Sequence, residues 1–327
     1  MEFKEFTCAK DDDGKRLDKV IRHIIDQSTL ALIYKSIRKG LVKINGKNCK
    51  PENRIAQGDV ISIAAFLLEE STGNDKEPEK TENINKINSQ IDQIRVFENE
   101  HILVLNKESG INVHSSTKED VSLQTLVEKY YKLNFTNQSL TFVPGPLHRI
   151  DRFTSGIVCF AKSTQCAHWF TAAMKDHKIK KQYAALVQGD AMSISPSQTW
   201  KDYLLKPEEN EASGAFHTVK VYAEDDKERP KDSKLCITTI IPQKSVVLGN
   251  STATLCHFDI ETGRQHQIRA QSAFHGFPLL GDTAYGAKKI QENDGHFYLC
   301  AYKLELPQNE LGIPQNITIA LPKVYDI

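Results

Sequence analysis

Apolar positions recur every three to four residues in two early stretches. Leu17, Val20, Ile21, Ile24 and Ile25 make one set, and Leu30, Ile33, Tyr34 and Ile37 make the next. This spacing predicts two short amphipathic helices, the second ending at Gly40. The period then shortens to two. Val42 and Ile44 alternate, Asn45-Gly46 is a strong hairpin signal, and Val60, Ile61 and Ile63 predict a closing strand. Residues 69–93 lack sustained apolar periodicity, and seven acidic residues there outweigh three lysines. That stretch reads as an acidic, mobile linker.

Beyond it, Val96-Phe97 and residues 102–105 predict a hairpin, and Leu123, Leu126, Val127 and Tyr130 a helix. The apolar run 157–161 predicts a buried strand. Ser163 is placed to cap a helix containing Ala167, Phe170, Ala173 and Met174. Residues 180–188 alternate, with Tyr183, Ala185 and Val187 on one face. Short strands are expected near 220–222, 235–241 and 255–260. Thr262 is a candidate cap for a last helix, which Gly276 and Pro278 would end.

Composition changes this picture in two places. The 327 residues are 39% hydrophobic and 26% charged, which is ordinary for a globular chain of more than one domain. No apolar run is long enough to span a membrane, and the first residues lack the apolar core of a signal peptide. Seven scattered cysteines without a Cys-x-x-Cys point to reduced thiols in the cytoplasm, and away from a disulfide framework or a structural zinc site. The formal net charge is zero, but between Lys15 and Val60 eleven Lys and Arg face four Asp and Glu. A basic module on an acidic body suits phosphate binding despite the neutral total.

Candidate chemistry gathers at His148-Arg149-Ile150-Asp151-Arg152-Phe153-Thr154-Ser155-Gly156. A carboxylate flanked by two guanidinium groups follows the rigid Pro144-Gly145-Pro146 and precedes a buried strand, so Asp151 is expected on a loop at a sheet edge. Ser155, His148 and Asp151 could be combined as a hydrolase triad, but Ser155 lacks the Gly-x-Ser-x-Gly elbow. His266 has no second His or Cys at metal spacing on its helical face, so it reads as structural. No metal, nucleotide or flavin motif is visible.

The string from His148 to Lys162 closely resembles the signature of the RluA family of pseudouridine synthases. Two further stretches agree with it: Lys181-Gln182-Tyr183 resembles that family's lysine-x-tyrosine strand, and Thr262-Gly263-Arg264-Gln265-His266-Gln267-Ile268-Arg269 its third motif. Asn106-Lys107 resembles the first motif, with Glu108 in place of the usual proline, and Gln271 stands where many members carry histidine. Residues 14–63 resemble an S4 RNA-binding domain through Arg16-Leu17-Asp18, Ile33-Tyr34-Lys35, Ile37-Arg38-Lys39-Gly40 and Val42-Lys43-Ile44-Asn45-Gly46.

The resemblance implies an α+β protein: an S4-like domain over 1–68, the linker 69–93, and a catalytic domain over 94–327 with a mostly antiparallel mixed sheet. It implies an enzyme that detaches uracil from C1′ of a uridine in structured RNA and rejoins it through C5. Asp151 would be the catalytic carboxylate and Arg269 its cationic partner. Tyr183 would contact the base, and Arg149 would fill the space the base leaves. Lys35, Arg38, Lys39 and Lys43 would bind RNA through the S4-like module. No cofactor is implied, and a monomer is expected. The S4-like module favours large-subunit ribosomal RNA. A tRNA target, or a catalytically silent RNA-binding or ribosome-assembly factor, are the alternatives. Asp151 could attack C1′ or remove a proton from C2′, and the sequence does not choose between them.

Overall fold

The computed structural model describes residues 1–25, 29–69, 81–115, 122–134, 139–194, 196–206, 218–248, 251–289 and 296–325. Its contacts divide the chain into two compact units. One contains Met1–Gln93, Gln124–Gly145 and Ala161–His168; the other contains Ile94–Leu123, Pro146–Phe160 and Trp169–Ile327.

In the first unit, β1 (Phe3–Thr7) precedes α1 (Leu17–Ile24) and α2 (Leu30–Arg38), and β2 (Val42–Ile44), β3 (Lys47–Asn48) and β4 (Val60–Ala64) follow. The sheet order is β1-β4-β2-β3. Asn45 and Gly46 both have positive φ, 51° and 75°, as a two-residue hairpin turn requires. Leu17, Val20, Ile21, Ile33 and Ile37 turn inward against Val42, Ile61 and Ile63, so the predicted helical faces are the buried ones. β1 was not foreseen. Its burial does not alternate, only Phe3 and Phe6 being half-buried, and it joins the sheet by pairing its backbone with β4.

Two short helices follow, α3 (Phe66–Glu69) and α4 (Thr81–Ile94). Half of the stretch expected as a linker is therefore helical, with Ile87 and Ile91 buried. Two inward isoleucines one turn apart suffice to anchor an otherwise polar helix. Residues 70–80 of the expected linker lie outside the described residues. Asp12 is fully buried, yet it accepts hydrogen bonds from Ser139 Oγ (2.6 Å), Thr141 Oγ1 (2.8 Å) and the Leu140 amide (3.0 Å). Burial works against its charge, but these donors hold its pKa below the ordinary aspartate value.

The remaining elements are β5 (Arg95–Glu98), β6 (Ile102–Lys107), α5 (Leu123–Asn134), β7 (Gly145–Pro146), β8 (Ser155–Ala161), α6 (Thr164–Lys175), β9 (Lys180–Gln188), β10 (Gln198–Leu205), β11 (Lys220–Ala223), β12 (Lys234–Leu248), β13 (Ser251–Ile260), α7 (Gln267–Phe274), β14 (Leu299–Glu305) and β15 (Asn316–Thr318). One mixed sheet runs β11-β10-β12-β13-β9-β14-β8-β6-β5, with β15 on β14 and β7 on β8. The β14–β8 pair is parallel, whereas β9 pairs antiparallel with both β13 and β14. Strands β8 and β9 are buried on both faces, hence their continuous apolar runs.

Two predicted helix caps meet different fates. Ser163 accepts the Cys166 amide at 3.2 Å and starts α6 as expected. Thr262 does not cap α7. Its hydroxyl donates to Gln267 Oε1 and accepts the Ile237 amide, and the helix begins five residues later, at Gln267, behind His266. None of the seven cysteines forms a disulfide; six are buried and Cys49 is half-buried. No helix among the described residues is long and apolar enough to cross a membrane.

Candidate active site

The loop after β7 carries Asp151, and β8 then enters the sheet through Gly156. Gly156 has φ +115°, and a methyl there would meet the Ala301 carbonyl carbon and nitrogen at 2.7 Å. Only glycine lets β8 lie this close to β14, and that contact fixes where the Asp151 loop ends. Below the loop, Lys107 is fully buried at the end of β6. Its Nζ donates to three carbonyl oxygens, of Glu108 and Ile111 at 2.8 Å and of Arg152 at 2.9 Å. The ammonium thus ties the residue after Asp151 to the β6 turn. Burial pulls Lys107 down to about 8, against the Asp151 charge, which favours the ammonium. Sequence reasoning missed this role, although the Asn106-Lys107 motif marked the position.

The two arginines flanking Asp151 do not hold it. Arg152 donates through Nε to the Gly110 carbonyl at 3.0 Å, and Arg149 is exposed on the cleft wall. His148 is structural. Its Nε2 accepts the Cys159 amide at 3.2 Å and its ring stacks on Phe170. Ser155 Oγ instead donates to the Leu299 carbonyl at 3.4 Å, so the residues weighed as a hydrolase triad are not assembled.

Burial, and next the charge of Lys181, push His148 from 6.5 down to about 4. The unfolded chain therefore takes up more protons between those values. The neutral ring's stabilisation is complete above pH 6.5 and is lost as pH falls through 4. Denaturant unfolding at pH 7 and pH 5 should show stability falling with pH, and His148→Gln should flatten that change. An unaltered pH slope in the variant would assign the effect to other groups.

Asp151 opens into a cleft of about 800 Å³ whose walls include Lys181, Tyr183, Arg264, His266 and Arg269. Its side chain is 23% exposed. Arg269 Nη1 lies 3.6 Å and His266 Nε2 4.0 Å from Asp151 Oδ2. Arg269 does not meet Asp151 through its bidentate fork. Its fork is spent on the buried Asp282, with Nε–Oδ2 at 2.7 Å and Nη2–Oδ1 at 2.9 Å, leaving Nη1 for Asp151. The guanidinium also stands 4.1 Å from the Phe297 ring centroid and 5.0 Å from that of Tyr285. Burial opposes its charge, but the Asp282 hydrogen bonds and the charges of Asp282 and Asp151 raise its pKa above the ordinary arginine value.

Tyr183 lies on β9, buried, between Phe258 of β13 and Ala301 of β14 in register. Burial and then the Asp151 charge push its phenol well above 10, so the hydroxyl keeps its proton at neutral pH. Lys181, two residues earlier and on the same wall, is lowered by burial. Helix α7 is locked beneath Arg269 by a buried polar chain. Thr238 Oγ1 donates to Gln271 Oε1 at 2.6 Å, Gln271 Nε2 to Asp202 Oδ2 at 2.7 Å, and Gln267 Nε2 to Thr238 Oγ1 at 2.8 Å. This is the use of Gln271, the position that departs from the resembled pattern. No group of three or more His, Cys, Asp or Glu among the described residues could hold a metal ion.

The cleft thus brings together the Asp151 carboxylate, a fixed guanidinium and a protonated phenol, from three separate motifs. The model of the family described as RNA pseudouridylate synthase matches residues 101–274, more than half of the chain. The chain belongs to the RNA pseudouridylate synthases. Within that family it is similar to the ribosomal large subunit pseudouridine synthase C of Vibrio vulnificus, 30% identical over 85% of this chain and 78% of the relative. The Haemophilus influenzae protein of the same name is 31% identical over 88% and 81%. Among solved structures, human RNA pseudouridylate synthase domain containing 4 aligns with a TM-score of 0.57 at 18% identity, covering 75% of this chain and 94% of that one. That likeness concerns the fold alone, a mixed sheet with helices. As an RNA pseudouridylate synthase the protein is an isomerase: the C1′–N1 bond of a uridine breaks, a C1′–C5 bond forms, and the C5 proton is replaced by one at N1.

Proposed function

We propose that this pseudouridine synthase modifies uridine in large-subunit ribosomal RNA, with Asp151 as the reacting carboxylate. The target class rests on the names of the relatives that span most of the chain. The assignment of Asp151 rests on its contact with the Arg269 guanidinium inside the cleft. Attack on C1′ and proton removal from C2′ both need a carboxylate at this point, and Arg269, itself fixed by Asp282, sets a guanidinium 3.6 Å from it. Arg149, exposed at the rim, takes the place of the extruded base. The enzyme acts in the cytoplasm as a monomer and needs no cofactor. Mapping pseudouridines in total RNA from cells lacking the protein tests the target. A missing pseudouridine in the large ribosomal RNA, restored by the wild-type chain, is expected. Loss confined to tRNA would refute the ribosomal assignment.

Tyr183 serves as a stacking face and as a hydroxyl that relays the C5 proton. Tyr183→Phe should keep the fold and RNA binding and lower kcat by roughly a hundredfold, the usual size of one lost proton-transfer group. Wild-type turnover in this variant would reduce Tyr183 to a platform.

The N-terminal module is read as S4-like, with Lys35, Arg38, Lys39 and Lys43 on RNA phosphates. Lys35, Arg38 and Lys39 are exposed at the end of α2, and Lys43 is partly buried with its ammonium 5.0 Å from the Phe3 ring centroid. Replacing Lys35, Arg38 and Lys39 by alanine should weaken RNA binding and reduce the slope of log K against log salt by about 0.9 per lost phosphate contact. An unchanged slope would count against the module's role.

A further inference from the structure

His266 sits in the cleft with a conformation that its surroundings impose. Its φ of 54° is left-handed, which a residue with a Cβ adopts only where neighbours hold it. The holding group is Tyr285, whose hydroxyl lies 2.9 Å from His266 Nδ1 and accepts the Val219 amide at 3.0 Å. Burial, and after it the charges of Asp282 and Asp151, lift the Tyr285 phenol to about 12 against the Val219 amide and the Arg269 charge, so it keeps a proton to donate. With that proton given to Nδ1, the single hydrogen of the neutral imidazole is on Nε2. Burial, more than the opposing Asp151 charge, lowers the His266 pKa and keeps the ring neutral. The result is an N–H donor facing an acceptor-only carboxylate across 4.0 Å. That gap is too long for a direct hydrogen bond. It fits one oxygen lying about 2.8 Å from each, provided the oxygen accepts on one side and donates on the other.

We propose that His266 and Asp151 share the 2′-hydroxyl of the target nucleotide, so that His266 is a specificity-determining residue reading ribose at the reacting position. The hydroxyl oxygen accepts from Nε2–H, and its hydrogen goes to Asp151 Oδ2. A ribose hydroxyl is both donor and acceptor, and deoxyribose offers nothing to either partner. Phosphate could accept from His266 but would place a second anion against Asp151. The inference rests on Asp151 being the reacting carboxylate, as argued above.

The test is a cycle between protein and RNA. A short RNA hairpin spanning the mapped target is made with uridine, or with 2′-deoxyuridine at that single position. Kd for both is measured with the wild-type chain, His266→Ala and Tyr285→Phe. The phenylalanine variant keeps a ring beside Arg269 and removes only the hydroxyl. The wild-type protein should prefer ribose by about tenfold, the worth of one hydrogen-bonded hydroxyl, and both variants should lose that preference. An undiminished preference in both variants, or none in the wild-type protein, would overturn the proposal. If His266→Ala does not fold, Tyr285→Phe decides alone. The same wild-type preparation is assayed for pseudouridine in ribosomal RNA. Pseudouridine formation with an undiminished preference in the variants sinks this inference only, whereas its absence sinks the functional reading beneath it.

Discussion

Asp151→Asn is expected to fold, to bind RNA as the wild type does, and to form no detectable pseudouridine. Asparagine nearly matches the carboxylate in shape but carries no charge to attack C1′ or to take a proton from C2′. The loop itself is held by Lys107, by the Gly156 contact with β14 and by the Thr154 amide bonded to the Asp151 carbonyl at 3.1 Å. None of these uses the Asp151 side chain. Stability should therefore move by less than about 1 kcal/mol, the size of a part-exposed ion pair. The measurements are a melting curve, a binding isotherm and a pseudouridine assay on ribosomal RNA. Activity above a few per cent of wild type would remove Asp151 from the chemistry and with it the mechanism built on it.

Arg269→Ala should be the costliest single change in the cleft. It strands Asp282, whose side chain is only 2% exposed, without its bidentate partner. Breaking a buried pair in this way costs roughly 3–5 kcal/mol. Activity should vanish as well, because Asp151 loses its contact with the Arg269 Nη1. Neutralising the stranded partner should restore stability. Arg269→Ala with Asp282→Asn is expected to melt above Arg269→Ala alone. Adding Asp151→Asn should restore much less, since that carboxylate is part-exposed and 3.6 Å away. Denaturant curves for the single and double variants decide it. If the Asp282 double variant is no more stable than Arg269→Ala, Asp282 is not the load that Arg269 balances.

Asp282, the further partner of Arg269, marks the limit of what the sequence could say. Motifs identified the three residues of the cleft, because each lies inside a dense local pattern. Asp282 follows Arg269 by thirteen positions across a turn, and nothing in the local pattern says which of two carboxylates receives the fork. Periodicity located α1, α2 and β4 because each buries one face against the others. It missed α4, whose two buried isoleucines are too few to stand out from a polar background. It also gave too little length to β12, where residues 234–248 form one strand around a register shift near Pro242. A proline interrupts an alternating pattern on paper, while in the sheet a bulge absorbs it. His266 read as structural because no metal spacing accompanied it. Its backbone angle and its distance to Asp151 are properties of the folded chain only.

The thiols give the two units separate clocks. Cys8, Cys49 and Cys166 belong to the first unit, and Cys159, Cys236, Cys256 and Cys300 to the second. A buried thiol meets an alkylating reagent only when its surroundings open. Burial also raises the thiol pKa, to about 12 at Cys8, Cys166, Cys236 and Cys256, so little thiolate exists before opening. Pulse alkylation read out by peptide mass therefore times the opening of each unit within one molecule, with no label added and with Cys49 as the internal marker of the fast limit.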